Sequence, residues 1–93
     1  MKSLLIIDDE PAIARVIQPV LMAEGWEVSS ASSGAHGLRL AEQKGVDIVL
    51  LDLGLPDTSG PELIPLLRRL CTLGLILTPP RHQYAATSLA PPP

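Results

Sequence analysis

Ninety-three residues suffice for one small domain, and 46% hydrophobic residues can build a core, which excludes global disorder. The net charge of −3 excludes a basic footprint for nucleic acid, and a single cysteine, Cys71, excludes an internal disulfide and fits a reducing cytosol. No apolar run reaches the ~18 residues needed to span a bilayer, and Met1–Lys2–Ser3, followed so soon by acids, is no signal peptide, so a cytoplasmic, non-membrane protein is expected.

Ser3 to Ile7 is a continuous apolar run, the pattern of a strand buried on both faces. It runs straight into Asp8, Asp9 and Glu10, and Pro11 then suits a first helical turn, where its missing N–H costs nothing. Ile13, Val16, Ile17, Val20 and Leu21 recur at helical spacing up to a stop at Gly25, with Pro19 expected to kink the helix. Trp26 to Ala31 reads as a second strand, Ser32–Ser33–Gly34 as a turn with a cap, and Ala35, Leu38 and Ala41 as a second helix ending near Gly45. Val46 to Leu51 is the next strand, terminated by Asp52, and residues 53–60 (LGLPDTSG) read as loop. Pro61 opens a third helix carrying Leu63, Leu66, Leu67 and Leu70, strained by Pro65, and Leu73 to Thr78 forms a fourth strand before Pro79–Pro80.

The order β-α-β-α-β-α-β predicts a parallel, doubly wound α/β sheet covered on both faces, with right-handed crossovers. Residues 1–78 form the folded domain. Residues 71–93 hold no acid, one Arg and five of the ten prolines, so residues 79–93 read as a Pro-rich disordered tail. Cys71 reads as a small buried hydrophobe.

In such sheets chemistry gathers at the carboxyl ends of the strands. Asp8 and Asp9 end the first strand and Asp52 ends the third, so if those strands are neighbours three carboxylates converge. Three such groups in a partly buried site call for a raised pKa or a cation, and hard oxygen ligands with room for water and phosphate oxygens suit Mg²⁺. A carboxylate beside a magnesium-bound phosphate donor can attack phosphorus and give an aspartyl-phosphate. The plainer reading is that the acids favour the positive N-terminus of the first helix; for Glu10 that reading is preferred. His36 has no second ligand at metal spacing and reads as a surface or packing residue, and His82 as an inert tail residue.

The stretches LLIIDDEP, DIVLLDLGLPDTSG and PELIPLLRRL, over about residues 3–70, resemble the receiver domain of two-component response regulators. The acidic pair, an Asp ending the third strand, a Pro four residues on and a Gly eight residues on form the family's combined pattern. The resemblance implies the flavodoxin-like strand order 2-1-3-4-5, for which a receiver protein is a known example. It implies that Asp52 is the phosphoacceptor for a sensor histidine kinase or phosphotransfer protein. Asp9, Asp52 and the Gly54 backbone carbonyl would ligate Mg²⁺, with Asp8 acting through water; Pro56 and Gly60 would shape the loop. Thr78, 26 residues beyond Asp52, is the candidate for the hydroxyl that contacts the phosphoryl group, although the spacing is a residue or two short of the family's.

The family's lysine at the end of a fifth strand has no counterpart: Lys2 and Lys44 fall at the amino edge, roughly 15–20 Å from the acids, and Arg81 reads as a solvated residue. Residues 79–93 cannot supply the α4-β5-α5 elements of a complete receiver, so the expectation is a C-terminally truncated domain, accounted for by a shifted reading frame after about Leu70. The fourth strand is then expected to be an exposed edge. Three functions stay open. The chain is a phosphoacceptor rather than an enzyme, a non-switching kinase-binding module or phosphate sink, or a defunct fragment. A hydrolase with Asp52 as nucleophile fits less well, because a second Asp two residues on is wanted and Gly54 stands there.

Overall fold

The structure, a computed structural model, describes residues 2–55 and 60–78. Seven elements follow in chain order: β1 (Ser3–Ile7), α1 (Pro11–Ala23), β2 (Glu27–Ala31), α2 (Gly34–Lys44), β3 (Val46–Asp52), α3 (Gly60–Leu70) and β4 (Cys71–Thr78). The four strands form one parallel sheet in the order β2-β1-β3-β4. This is the expected doubly wound, flavodoxin-like arrangement as far as β4. Among the described residues no helix is long and apolar enough to cross a membrane.

β1 is central because it can be: Leu4, Leu5, Ile6 and Ile7 are all buried, two on each face. Leu5 and Ile7 join Val49, Leu51, Ala41, Leu63 and Leu67 in the core beneath α2 and α3. Leu4 and Ile6 face Ala14 and the partly buried Ile17 and Leu21 of α1. Each fully buried aliphatic side chain contributes about 1.5–3 kcal/mol relative to exposure.

The helix ends are written locally. Ser33 caps α2 by accepting the His36 backbone N–H on Oγ at 3.2 Å. Gly45, at φ 67°, takes the left-handed turn that ends α2 and feeds β3. Pro19 and Pro65 both lie inside their helices, which continue through them.

Three boundaries differ from the sequence expectation. β2 starts at Glu27, one residue late, because the Trp26 N–H is spent on the Leu21 carbonyl at the α1 terminus. α3 starts at Gly60 rather than Pro61. β4 starts at Cys71 rather than Leu73, directly after α3 with no connecting residue. Cys71 is half-buried at that junction, not in the core, because it opens an edge strand.

The register between β3 and β4 shifts once, with Val46 beside Cys71 but Ile48 beside Gly74. Asp47 occupies this irregularity and ties three strands together. Its Oδ2 accepts the Ser3 N–H at 2.8 Å and its Oδ1 accepts the Thr72 hydroxyl at 2.5 Å. Among the described strands β4 forms one edge of the sheet, and Leu73, Ile76 and Leu77 on it are exposed. Residues 79–93, and with them Arg81 and His82, lie outside the described residues.

Candidate functional site

The sheet order brings the acids together. β1 lies directly beside β3, with Ile7 in register with Leu51, so the residues following each strand emerge side by side. One carboxylate oxygen from each of Asp8, Asp9 and Asp52 lies within 4.8 Å of the others. Asp52 is buried at 6% exposure, Asp8 is half-buried and Asp9 exposed, so the cluster grades from sheet edge to solvent.

Backbone donors orient two of the three. Asp52 Oδ1 accepts the Gly54 N–H at 2.9 Å, and Asp8 Oδ1 accepts the Glu10 N–H at 2.8 Å. Both are turns in which an Asp side chain bonds the backbone two residues on. The Asp8 N–H in turn donates to the Ala31 carbonyl at 3.0 Å, anchoring the turn to β2. Glu10 holds the N-cap position of α1, but its side chain makes no capping hydrogen bond. The helix-entry role read for Glu10 is therefore positional, and Asp8 supplies the side-chain bond.

Thr78 stands in register with Asp52 at the end of β4, and the Leu53 N–H donates to the Thr78 carbonyl at 3.0 Å. The short spacing is absorbed at the α3–β4 junction, where no loop residue remains. Gly60 opens α3, and Pro56 lies outside the described residues. Lys2 and Lys44 are engaged elsewhere. Lys2 Nζ lies 5.9 Å from the Trp26 ring centroid at the amino edge, and Lys44 Nζ donates to Ser29 Oγ at 3.5 Å.

Sequence reasoning missed a groove of about 530 Å³ on the β2 side of the acidic pair. Its floor is apolar, from Ile6, Ala14 and Ala31, and Asp8 and Asp9 form one wall. Arg15, Gln18 and His36 line the remainder. The available signal was positional: Arg15 and His36 each fall in the opening turns of a helix that starts at the carboxyl edge of the sheet.

The donor set fits a hard divalent cation: three carboxylates at one end of a rigid sheet, with solvent access through Asp9.

The parallel, doubly wound sheet in the order β2-β1-β3-β4, with acids at the ends of β1 and β3, is the flavodoxin-like fold class. The sequence profile described as "Response regulator receiver domain" matches residues 4–85, and the chain belongs to that family. It is 44% identical over 77 residues to the transcriptional regulatory protein KdpE of Mycobacterium tuberculosis, covering 83% of this chain and 34% of that protein. The chain thus spans about a third of the length of the curated relatives it matches. A Burkholderia pseudomallei response regulator, solved with a phosphorylated aspartic acid, calcium ion and citrate, superposes with TM-score 0.77 at 28% identity, covering 85% of this chain and 47% of that one. The complex of histidine kinase ThkA with response regulator TrrA gives TM-score 0.71 at 33% identity, covering 83% of this chain and 67% of that one.

Proposed function

We propose that the chain is the phosphoacceptor module of a two-component phosphorelay, taking a phosphoryl group from a sensor histidine kinase or phosphotransfer protein onto Asp52. The observation that carries this reading is the convergence of Asp8, Asp9 and Asp52 at the carboxyl edge. Mg²⁺ would be held by Asp9, Asp52 and the Gly54 carbonyl, with Asp8 acting through water. When bound, Mg²⁺ supplies positive charge against the phosphoryl oxygens. Asp52 presents a buried carboxylate whose Oδ1 is fixed by the Gly54 N–H, which orients the attacking group. Thr78 lies beside it with a hydroxyl that can donate to a phosphoryl oxygen. Relatives solved with a phosphorylated aspartic acid and with a histidine kinase support the reading.

The non-switching reading, a kinase-binding module or phosphate sink, draws support from the placement of Lys2 and Lys44 away from the acids. Intact mass after incubation with Mg²⁺ and a small phosphodonor tests the main reading. One added phosphoryl group is expected, absent from Asp52→Asn and absent without Mg²⁺. Uptake that persists in Asp52→Asn would overturn it.

A further inference from the structure

Among the described strands β4 has a neighbour on one side only, and it carries none of the usual guards of a sheet edge. Its eight residues, CTLGLILT, hold no charge and no proline. The opposite edge, β2, is shorter and opens on the exposed Glu27. Thr78 turns its backbone toward β3, because its carbonyl accepts the Leu53 N–H at 3.0 Å. Backbone groups alternate in direction along a strand, so those of Leu77 and Leu75 point away from β3, toward the open side. Leu73, Ile76 and Leu77 also leave large apolar side chains exposed on this strand.

Such an edge fits another extended strand, and the sequence of β4 says which. Read outward from Leu75, it is nearly the same in both directions: Gly74 and Ile76, then Leu73 and Leu77, then Thr72 and Thr78. A two-fold axis through Leu75 sets that residue against itself, each copy exchanging its N–H and C=O with the other. The same axis sets Leu73 against Leu77 of the other copy and Thr72 against Thr78, and such cross-strand pairs stabilise antiparallel ladders. Ile76 then lies opposite Gly74 of the other copy, which has open space where a Cβ would be. Charge agrees. Each copy carries −3, yet antiparallel pairing places the two Asp8–Asp9–Asp52 clusters at opposite ends of an uncharged ladder. We propose that β4 is the interface of a symmetric dimer in which two copies of this chain pair antiparallel, joining two four-stranded sheets into one of eight strands. The contact is isologous, so it uses each β4 edge once and closes at two copies. Eight residues a side, against the roughly 20–30 of a standard interface, make it a weak dimer, with Kd on the order of 100 μM.

The test is analytical ultracentrifugation of the full chain, from about tenfold below that Kd to about tenfold above it, with amide hydrogen exchange at both ends of the range. Dimer is expected at the upper end, with the Leu75 and Leu77 N–H groups exchanging about fivefold more slowly there than in the dilute chain. Leu73→Lys enters the ladder twice per dimer and should weaken it by about tenfold or more. Leu73→Lys/Leu77→Glu should recover most of that loss, because each Lys then faces a Glu across the two-fold axis. A chain that stays monomeric over the whole range overturns the proposal. A dimer in which the Leu75 and Leu77 N–H groups keep their dilute exchange rates, or which Leu73→Lys leaves unchanged, overturns it in favour of another surface. Assemblies that grow past two copies overturn it in favour of head-to-tail pairing of β4 with β2. A folded double variant no tighter than Leu73→Lys alone overturns the two-fold register. The wild-type exchange rates decide the matter even where a substituted chain fails to fold.

Discussion

Asp52 and Thr78 are register partners across the β3–β4 ladder, so their side chains leave the sheet on the same face at the same level. The Thr78 hydroxyl donates to the Leu51 carbonyl at 3.4 Å, a long bond that contributes little to the fold. Thr78→Ala should therefore cost under about 1 kcal/mol in urea unfolding. Phosphoryl uptake should slow by roughly tenfold, the loss expected for one hydrogen bond to a charged group. Thr78→Ser should keep the wild-type rate. A wild-type rate in Thr78→Ala would remove the residue from the site.

One carboxylate oxygen from each of Asp8, Asp9 and Asp52 lies within 4.8 Å of the others, an arrangement whose like charges a divalent cation would offset. Mg²⁺ should raise the melting temperature, by the equivalent of about 2.7 kcal/mol at a hundredfold excess over Kd. Asp9→Asn should weaken Mg²⁺ binding by tenfold or more, on the order of 1.4 kcal/mol, while stabilising the metal-free chain. Differential scanning calorimetry with and without Mg²⁺ reads both effects. A destabilised metal-free Asp9→Asn would show that Asp9 holds the fold together more than its charge strains the cluster.

α2 lies close on β1 because its inner face carries Gly34, Gly37 and Ala41. A Cβ built on Gly37 would overlap the Ile7 side chain, lying 2.6 Å from Cγ1. Ile7 is fully buried and has little room to move. Gly37→Ala is expected to cost about 1–3 kcal/mol in chemical denaturation, overpacking outweighing the better helix propensity of Ala. A stabilised variant would mean that the helix can lift without penalty.

The Asp47 carboxyl is held below the ordinary carboxylate range, first by the Thr72 hydroxyl and next by the Ser3 N–H. With the folded-state value depressed, the unfolded chain binds the proton more readily. The contribution is fully present above the unfolded value of about 3.9 and is lost as pH falls through the folded value. The stability gap between wild type and Asp47→Asn should accordingly close on acidification below about pH 4. A gap independent of pH would assign the effect of the substitution to packing.

Much of this protein is legible residue by residue. The apolar run Ser3–Ile7 demands burial on both faces, Ser33 and Gly45 mark the ends of α2, and acids after two separate strands mark the reactive edge. These are local properties, set by side-chain solvation and backbone preference, and they need no neighbour to be read. Strand order is different: only the packed sheet sets β1 against β3 and so makes one cluster of Asp8, Asp9 and Asp52. Only the register, with its single irregularity at Asp47, brings Thr78 opposite Asp52 despite a short connection. The groove is likewise hard to read from a linear pattern, because Arg15 and His36 line it from two different helices that the sheet brings to the same edge. Periodicity reports which residues are buried; which residues face one another is decided by how the elements pack.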